Sequence, residues 1–185
     1  MSGIHARVAP GRNGALRNAA GVALRRGITL DPMKPMRVYI DTSVVGGCFD
    51  AKFRDASLRL FERFRTGQMI AVVSDLTVSE LDRAPSAVRS ILEGIPLAYR
   101  EEARVTSEAA MLASRYIDAG VIGRAMLGDA EHIATATIYR VDALVSWNFK
   151  HIVNVRRIHG YNRVNALAGH PFVWIRTPAE VISDG

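Results

Sequence analysis

The chain is predicted to be an α/β protein, a mostly parallel sheet with helices on both faces. Three observations predict it. Short runs rich in β-branched and aromatic residues alternate with longer segments of helical period. That alternation implies strand-helix-strand crossovers, which force neighbouring strands parallel and cover both faces of the sheet. At 185 residues the chain is long enough for one domain with a sizeable core, and no repeat or low-complexity linker divides it.

The elements follow in order. RVYI (Arg37–Ile40) is a strand that Asp41 ends. DASLRLFERFRTG places Leu58, Phe61 and Phe64 at helical spacing, with Gly67 as its stop. MIAVVS (Met69–Ser74) is a second strand, and DLTVSELDRA a helix that Asp75 caps. Pro85 opens a helix running to about Leu92. A long helix spans roughly Thr106 to Asp118 and stops at Gly120. Gly128 and Asp129 introduce the helix AEHIATATIYR, and ALVSW (Ala143–Trp147) is the third strand. His151 to Ala168 is mixed and partly helical. FVWI (Phe172–Ile175) is the last strand, before a helix capped by Thr177 with Pro178 at its first position.

Composition excludes several classes. No apolar run approaches the roughly 18 residues of a membrane span. A single cysteine, Cys48, forbids an intrachain disulfide and points to a reducing compartment, the cytoplasm by default. Neither a Walker loop nor GxGxxG is present, which counts against nucleotide-cofactor enzymes. The net charge of +6 is concentrated: residues 1–35 hold six basic residues against Asp31, which leaves +1 for the rest. That Gly-, Ala- and Arg-rich segment lacks aromatics and is expected to be a disordered extension, with the folded domain at 36–185. It lacks a secretory h-region; a transit peptide, or a true start at Met33 or Met36, would account for it.

In open parallel sheets, sites collect beyond the carboxyl ends of the strands. The polar residues expected there are Asp41, Ser74, Asp75 and Asn148. Helix-borne Glu80 and Asp129 join them. Each has an ordinary reading: Asp41 and Asp129 as caps, Glu80 as solvated helix surface, Asn148 as a turn residue. Their joint placement favours a site instead. Converging carboxylates repel unless protonated or neutralised by a cation. Hard oxygen ligands without a Cys or His cluster favour Mg²⁺ or Mn²⁺ over Zn²⁺.

The order YIDTSV, SELDRA, GDAEHIATATIYRVDALVSWNFKHI, VNALAG and FVWIRTPAEVI resembles the PIN domain family, in particular its VapC-like toxin ribonucleases. The resemblance spans residues 36–182. It implies a three-layer α/β/α sandwich whose gathered acids bind Mg²⁺ or Mn²⁺ and hydrolyse RNA phosphodiesters, leaving a 5′-phosphate. Asp41, Glu80 and Asp129 match the family's first three acids. By the resemblance, Asp41 and Asp129 hold the metal and Glu80 orients or deprotonates water. Ser43 matches a small polar residue that often follows the first acid. Asn148 stands where many members have a fourth acid, in a turn that here reads Ser146-Trp147-Asn148. An amide in that place leaves three negative charges and is expected to weaken a second metal site.

Of possible substitutes for the fourth acid, Asp142 lies at the opposite end of its strand and Glu131 on another helix face, while Asp75 stays possible. Basic contacts to RNA are expected from Lys150, Arg156 and Arg157, with Arg163 beyond them. Trp147 and Phe149 could stack on a base or simply pack. His132 and His151 flank the acids, with structural roles expected. The resemblance also implies an antitoxin partner and a homodimer. Two other readings stay open. One is a PIN-fold RNA- or protein-binding module that has lost catalysis through Asn148. The other is an α/β hydrolase with Asp41 as nucleophile, which the missing second Asp of a DxD loop disfavours.

Overall fold

A computed structural model describes residues 34–183. The expectation for residues 1–35 lies outside them, apart from Lys34 and Pro35. Five strands form one sheet in the order β3-β2-β1-β4-β5: β1 (Met36–Ile40), β2 (Met69–Ser74), β3 (Arg100–Ala103), β4 (Ala143–Val145) and β5 (Ile175–Arg176). Every pairing is parallel, with Val38 opposite Ala71 on one side and Ala143 on the other. The expected "mostly parallel" sheet is therefore wholly parallel among the described residues.

Side chains alternate across β1, so the strand feeds two cores. Val38 and Ile40 pack with α1 (Thr42–Gly47), α2 (Arg54–Arg65), α3 (Asp75–Leu81), α4 (Ser86–Glu93) and α8 (Pro178–Ser183), through Val44, Phe61, Phe64, Leu81, Leu92 and Val181. Tyr39 faces α5 (Ser107–Asp118), α6 (Leu127–Ile138) and α7 (Val155–Leu167), through Leu112, Tyr116, Ile133 and Tyr161. Helices thus cover both faces, giving three layers.

The boundaries differ instructively from expectation. TSVVGG, which the sequence reading left without an element, is helix α1, and the Asp41 carboxylate caps it by accepting from the Val44 amide. α3 is capped by Ser74 and not by Asp75, which instead accepts from the amides of Leu76 and Val105. Asp129 does not cap α6 either; it lies in the first turn, free for tertiary contacts. Pro85 precedes α4 as its cap residue. β3 is a charged edge strand, REEA, without the apolar run that marks a buried strand. The FVWI strand shifts to Ile175–Arg176, leaving Phe172 exposed.

Strand order turns around between β1 and β4. β2 and β3 are added on one side of β1, and β4 and β5 on the other. The crevice at the carboxyl ends of β1 and β4 is therefore the topological switch point, where parallel sheets place ligands. Asp41 follows β1 there, and Ser146 follows β4.

Candidate active site

Asp41 leaves β1 and is nearly buried, at 4% exposure. Its Oδ1 accepts from Ser43 Oγ at 2.6 Å and from Val44 N at 3.3 Å. Its Oδ2 accepts from Ser146 Oγ at 2.7 Å. Ser146 Oγ in turn accepts from Asn148 N at 2.9 Å, and Asn148 Nδ2 donates to Asp129 Oδ1 at 3.0 Å. Three hydrogen bonds thus join Asp41 to Asp129, though 88 residues separate them in sequence.

Glu80 closes the group from α3. Its Oε2 accepts from Thr42 Oγ1 at 2.9 Å and lies 3.2 Å from His132 Nε2. Its Oε1 lies against Gly128, the neighbour of Asp129, 3.5 Å from where a Cβ would stand. The three acids expected from sequence are thus brought to one crevice, with Ser43, Ser146 and Asn148 between them.

The environment treats the acids differently. Burial pushes the Asp41 carboxyl up, against the nearby His132 ring and its three hydrogen bonds. Burial likewise raises Asp129, with the Glu80 charge adding to the shift and His151, His132 and Asn148 opposing it. The His132 hydrogen bond holds Glu80 below its ordinary value, more than burial raises it. Three carboxylates in one crevice, two of them disfavouring ionisation, lack a full counter-charge.

The donor set fits a hard dication. Among the described residues, Glu80 Oε1 and Asp129 Oδ2 accept no hydrogen bond, so two of the acids each keep an uncommitted oxygen. No three His, Cys, Asp or Glu side chains among those residues are gathered tightly enough to enclose an ion as they stand. Capture by all three acids therefore requires side-chain rotation or intervening water.

Asn148 does something that sequence reading missed. Its Oδ1 accepts from His151 N at 3.0 Å, which turns the amide nitrogen toward Asp129. The side chain presents a donor to the acids, where a metal ligand would present an acceptor. Ser43 is also shared: its Oγ donates to Asp41 and accepts from Trp147 N at 2.8 Å. Trp147 is a packing residue, its Nε1 donating to Ser57 Oγ and its ring stacked on Phe53 at 4.4 Å. Phe149 is 47% exposed.

The expected basic residues Lys150, Arg156 and Arg157 line one concavity of about 500 Å³, with Gly120 and Gly160. Arg157 also donates to Val121 O at 2.7 Å. Arg163 is exposed and lies outside that concavity's lining. Asp75, the remaining possible substitute for a fourth acid, holds the amides of Leu76 and Val105 through Oδ1, a link between α3 and the segment after β3. No helix of the described residues is long and apolar enough to cross a membrane.

Sequence comparison finds no protein family whose profile matches the chain, and no match among curated proteins. Among solved structures, similar ones include VapC20 of Mycobacterium tuberculosis, a sarcin-ricin-loop-cleaving toxin. It is 15% identical, with 62% of this chain and 92% of that one covered and a TM-score of 0.47. A toxin-antitoxin complex from Klebsiella pneumoniae is 16% identical, covering 76% and 97%, with a TM-score of 0.48. VapBC2 from Rickettsia felis, bound to a DNA fragment from its promoter, is 14% identical, covering 77% and 98%, also at 0.48.

Proposed function

We propose that the chain is a metal-dependent ribonuclease of the PIN type. The observation that carries this reading is the meeting of Asp41, Glu80 and Asp129, from three separate elements, at the β1–β4 switch point. Three acids in such a crevice raise the folding cost unless a cation repays it. The motif order described above supports the same assignment. Asp129 and Glu80 would offer their unbonded oxygens to Mg²⁺ or Mn²⁺, and Asp41 would offer the remaining lone pair of Oδ2. Bound there, the ion would supply Lewis acidity toward a phosphoryl oxygen and a lowered pKa for water.

The chain's own groups divide the remaining work. Ser43 and Ser146 fix the Asp41 carboxylate through both oxygens, which leaves it one orientation. Glu80, held ionised by the His132 hydrogen bond, would accept a hydrogen bond from the attacking water and so orient it. The concavity lined by Lys150, Arg156 and Arg157 supplies positive charge for an RNA backbone. An antitoxin would cover the acidic crevice, and pairing with a second copy belongs to the same reading.

Asn148 favours the alternative, a weakened or purely binding PIN-fold module, because it removes a charge and contributes a donor. RNA cleavage in Mn²⁺ separates the two. Wild type is expected to cut single-stranded RNA, to stop in excess EDTA, and to lose at least 100-fold in rate as Asp41→Ala (a factor of roughly that size for removing a principal electrostatic group). Cutting that survives Asp41→Ala would overturn the nuclease assignment; binding without cutting would establish the module.

A further inference from the structure

A closed ring of buried polar groups lies directly beneath the acids. His132 is 2% exposed, and its Nε2 lies 3.2 Å from Glu80 Oε2. On its other side, His132 Nδ1 is 2.7 Å from Tyr39 Oη, and the two rings meet edge to face. Tyr39 Oη is 2.7 Å from Ser74 Oγ, and Ser74 Oγ is 3.0 Å from Thr77 Oγ1 and accepts from Thr77 N at 3.1 Å. Thr77 Oγ1 ends the path on Ile40 O at 3.2 Å. Thr77 and Glu80 share helix α3, so the path leaves that helix at Glu80 and returns to it one turn away.

The end groups fix the outermost donors. Ile40 O can only accept, so Thr77 donates to it. A carboxylate likewise only accepts, so His132 Nε2 donates to Glu80 Oε2, while Tyr39 Oη bridges His132 Nδ1 and Ser74 Oγ. Each of these buried polar side chains has a hydrogen-bonding partner, which is the condition for a buried polar network to rigidify what it holds.

The ring touches the elements of all three acids. Glu80 is a member. Asp129 lies one turn before His132 on α6, and Asp41 lies two residues after Tyr39. A bare helix contact could slide; a ring of directional polar contacts ties α3, α6 and β1 together. Nothing in it reaches the crevice except the Glu80 carboxylate.

We infer that His132 is a positioning residue that aims Glu80 Oε1 at the metal position by holding Oε2 from behind, and that Tyr39 acts only through His132. This rests on the metal-site reading above. Groups that orient metal ligands from behind typically change metal affinity by about 10- to 100-fold when removed.

Mn²⁺ affinity by calorimetry, without RNA, tests it, with the thermal midpoint recorded for each variant. His132→Gln keeps a donor with reach toward Glu80, and His132→Asn does not. The expected order of affinity is wild type, then His132→Gln, then His132→Asn, the last weaker by about 10-fold or more. Tyr39→Phe, which fills the same space and touches no acid, is expected to weaken Mn²⁺ binding in the wild-type background and to add nothing in His132→Asn. A structural effect alone would lower the midpoints and leave affinity among folded variants equal. Equal affinities, or Tyr39 and His132 losses that add, would overturn the inference while leaving the metal site standing. Wild type that binds no Mn²⁺ would overturn the metal reading itself.

Discussion

Replacing Asn148 by aspartate restores a fourth charge, and its consequence can be worked from distances. Asn148 Nδ2 is 3.0 Å from Asp129 Oδ1, and the Asn148 oxygen accepts from His151 N. Aspartate keeps the second bond and turns the first into a contact between two carboxylates. Two unit charges at that separation repel by about 5.5 kcal/mol at an effective dielectric of 20 and about 1.4 kcal/mol in bulk water. Both side chains are half-buried, so the cost falls between these limits. Proton uptake sets a ceiling, since keeping an ordinary aspartate protonated at pH 7 costs about 4 kcal/mol.

The variant should therefore be less stable in EDTA at pH 7 by about 1 to 4 kcal/mol, which for a domain of this size lowers the midpoint by at least about 3 °C. The sign with pH follows from Asp129, whose carboxyl burial already raises. The substitution raises it further. A raised folded-state value means that stability is fullest at low pH and is lost as pH rises through that value. The deficit should shrink at pH 5 and widen toward pH 7, and saturating Mn²⁺ should raise the variant's midpoint more than the wild type's. Differential scanning fluorimetry at two pH values, with EDTA and with Mn²⁺, reads all of this. Equal midpoints in EDTA at both pH values would refute the reasoning.

Asp41→Asn removes a buried charge whose hydroxyl partners can rotate to serve an amide. Because burial holds the Asp41 carboxyl up, ionisation costs stability as pH rises through its value. The variant is expected to gain about 1 kcal/mol or more at neutral pH while losing Mn²⁺ binding, and thermal melts with calorimetry check the pair. Glu80 has the opposite sign. Its value is lowered from the ordinary 4.5, so its stabilising effect is present above that pH and lost as pH falls below it. Glu80→Gln should lower the midpoint in the neutral region, where that effect is present, and change it little well below pH 4.5, so that the acid limb of the midpoint-against-pH curve flattens.

How much of this was legible in the sequence depends on which forces were at work. β1, β2 and β4 carry apolar runs because both faces of a central parallel strand are buried, and those runs could be read directly. β3 could not, since REEA is a charged edge strand with no apolar run, and Glu101 pairs inward across β2 with Arg37 of β1. α1 hid behind TSVVGG, whose β-branched residues and glycines favour a turn; packing of Val44 and Val45 decides it. Asp41 was legible as a candidate because strand ends mark the crevice of an open parallel sheet, whereas helix-borne Glu80 and Asp129 were picked out through the order of their motifs. The roles of His132 and Asn148 were not, because each depends on a partner across the fold. Tyr39 is 93 residues from His132, and only a hydrogen-bonding inventory of the folded chain reveals that the histidine faces an acid on one side and a phenol on the other.

Trp147 follows β4 at the crevice end of the sheet, while Trp174, the other tryptophan, precedes β5 at the far end. The Trp147 amide hangs on the same hydroxyl that grips Asp41, and its indole is wedged so closely against Gly47 that a Cβ there would stand 2.7 Å from Nε1. A rearrangement of that carboxylate is one oxygen atom away from the backbone of a fluorophore. The protein thus contains its own optical gauge of the crevice.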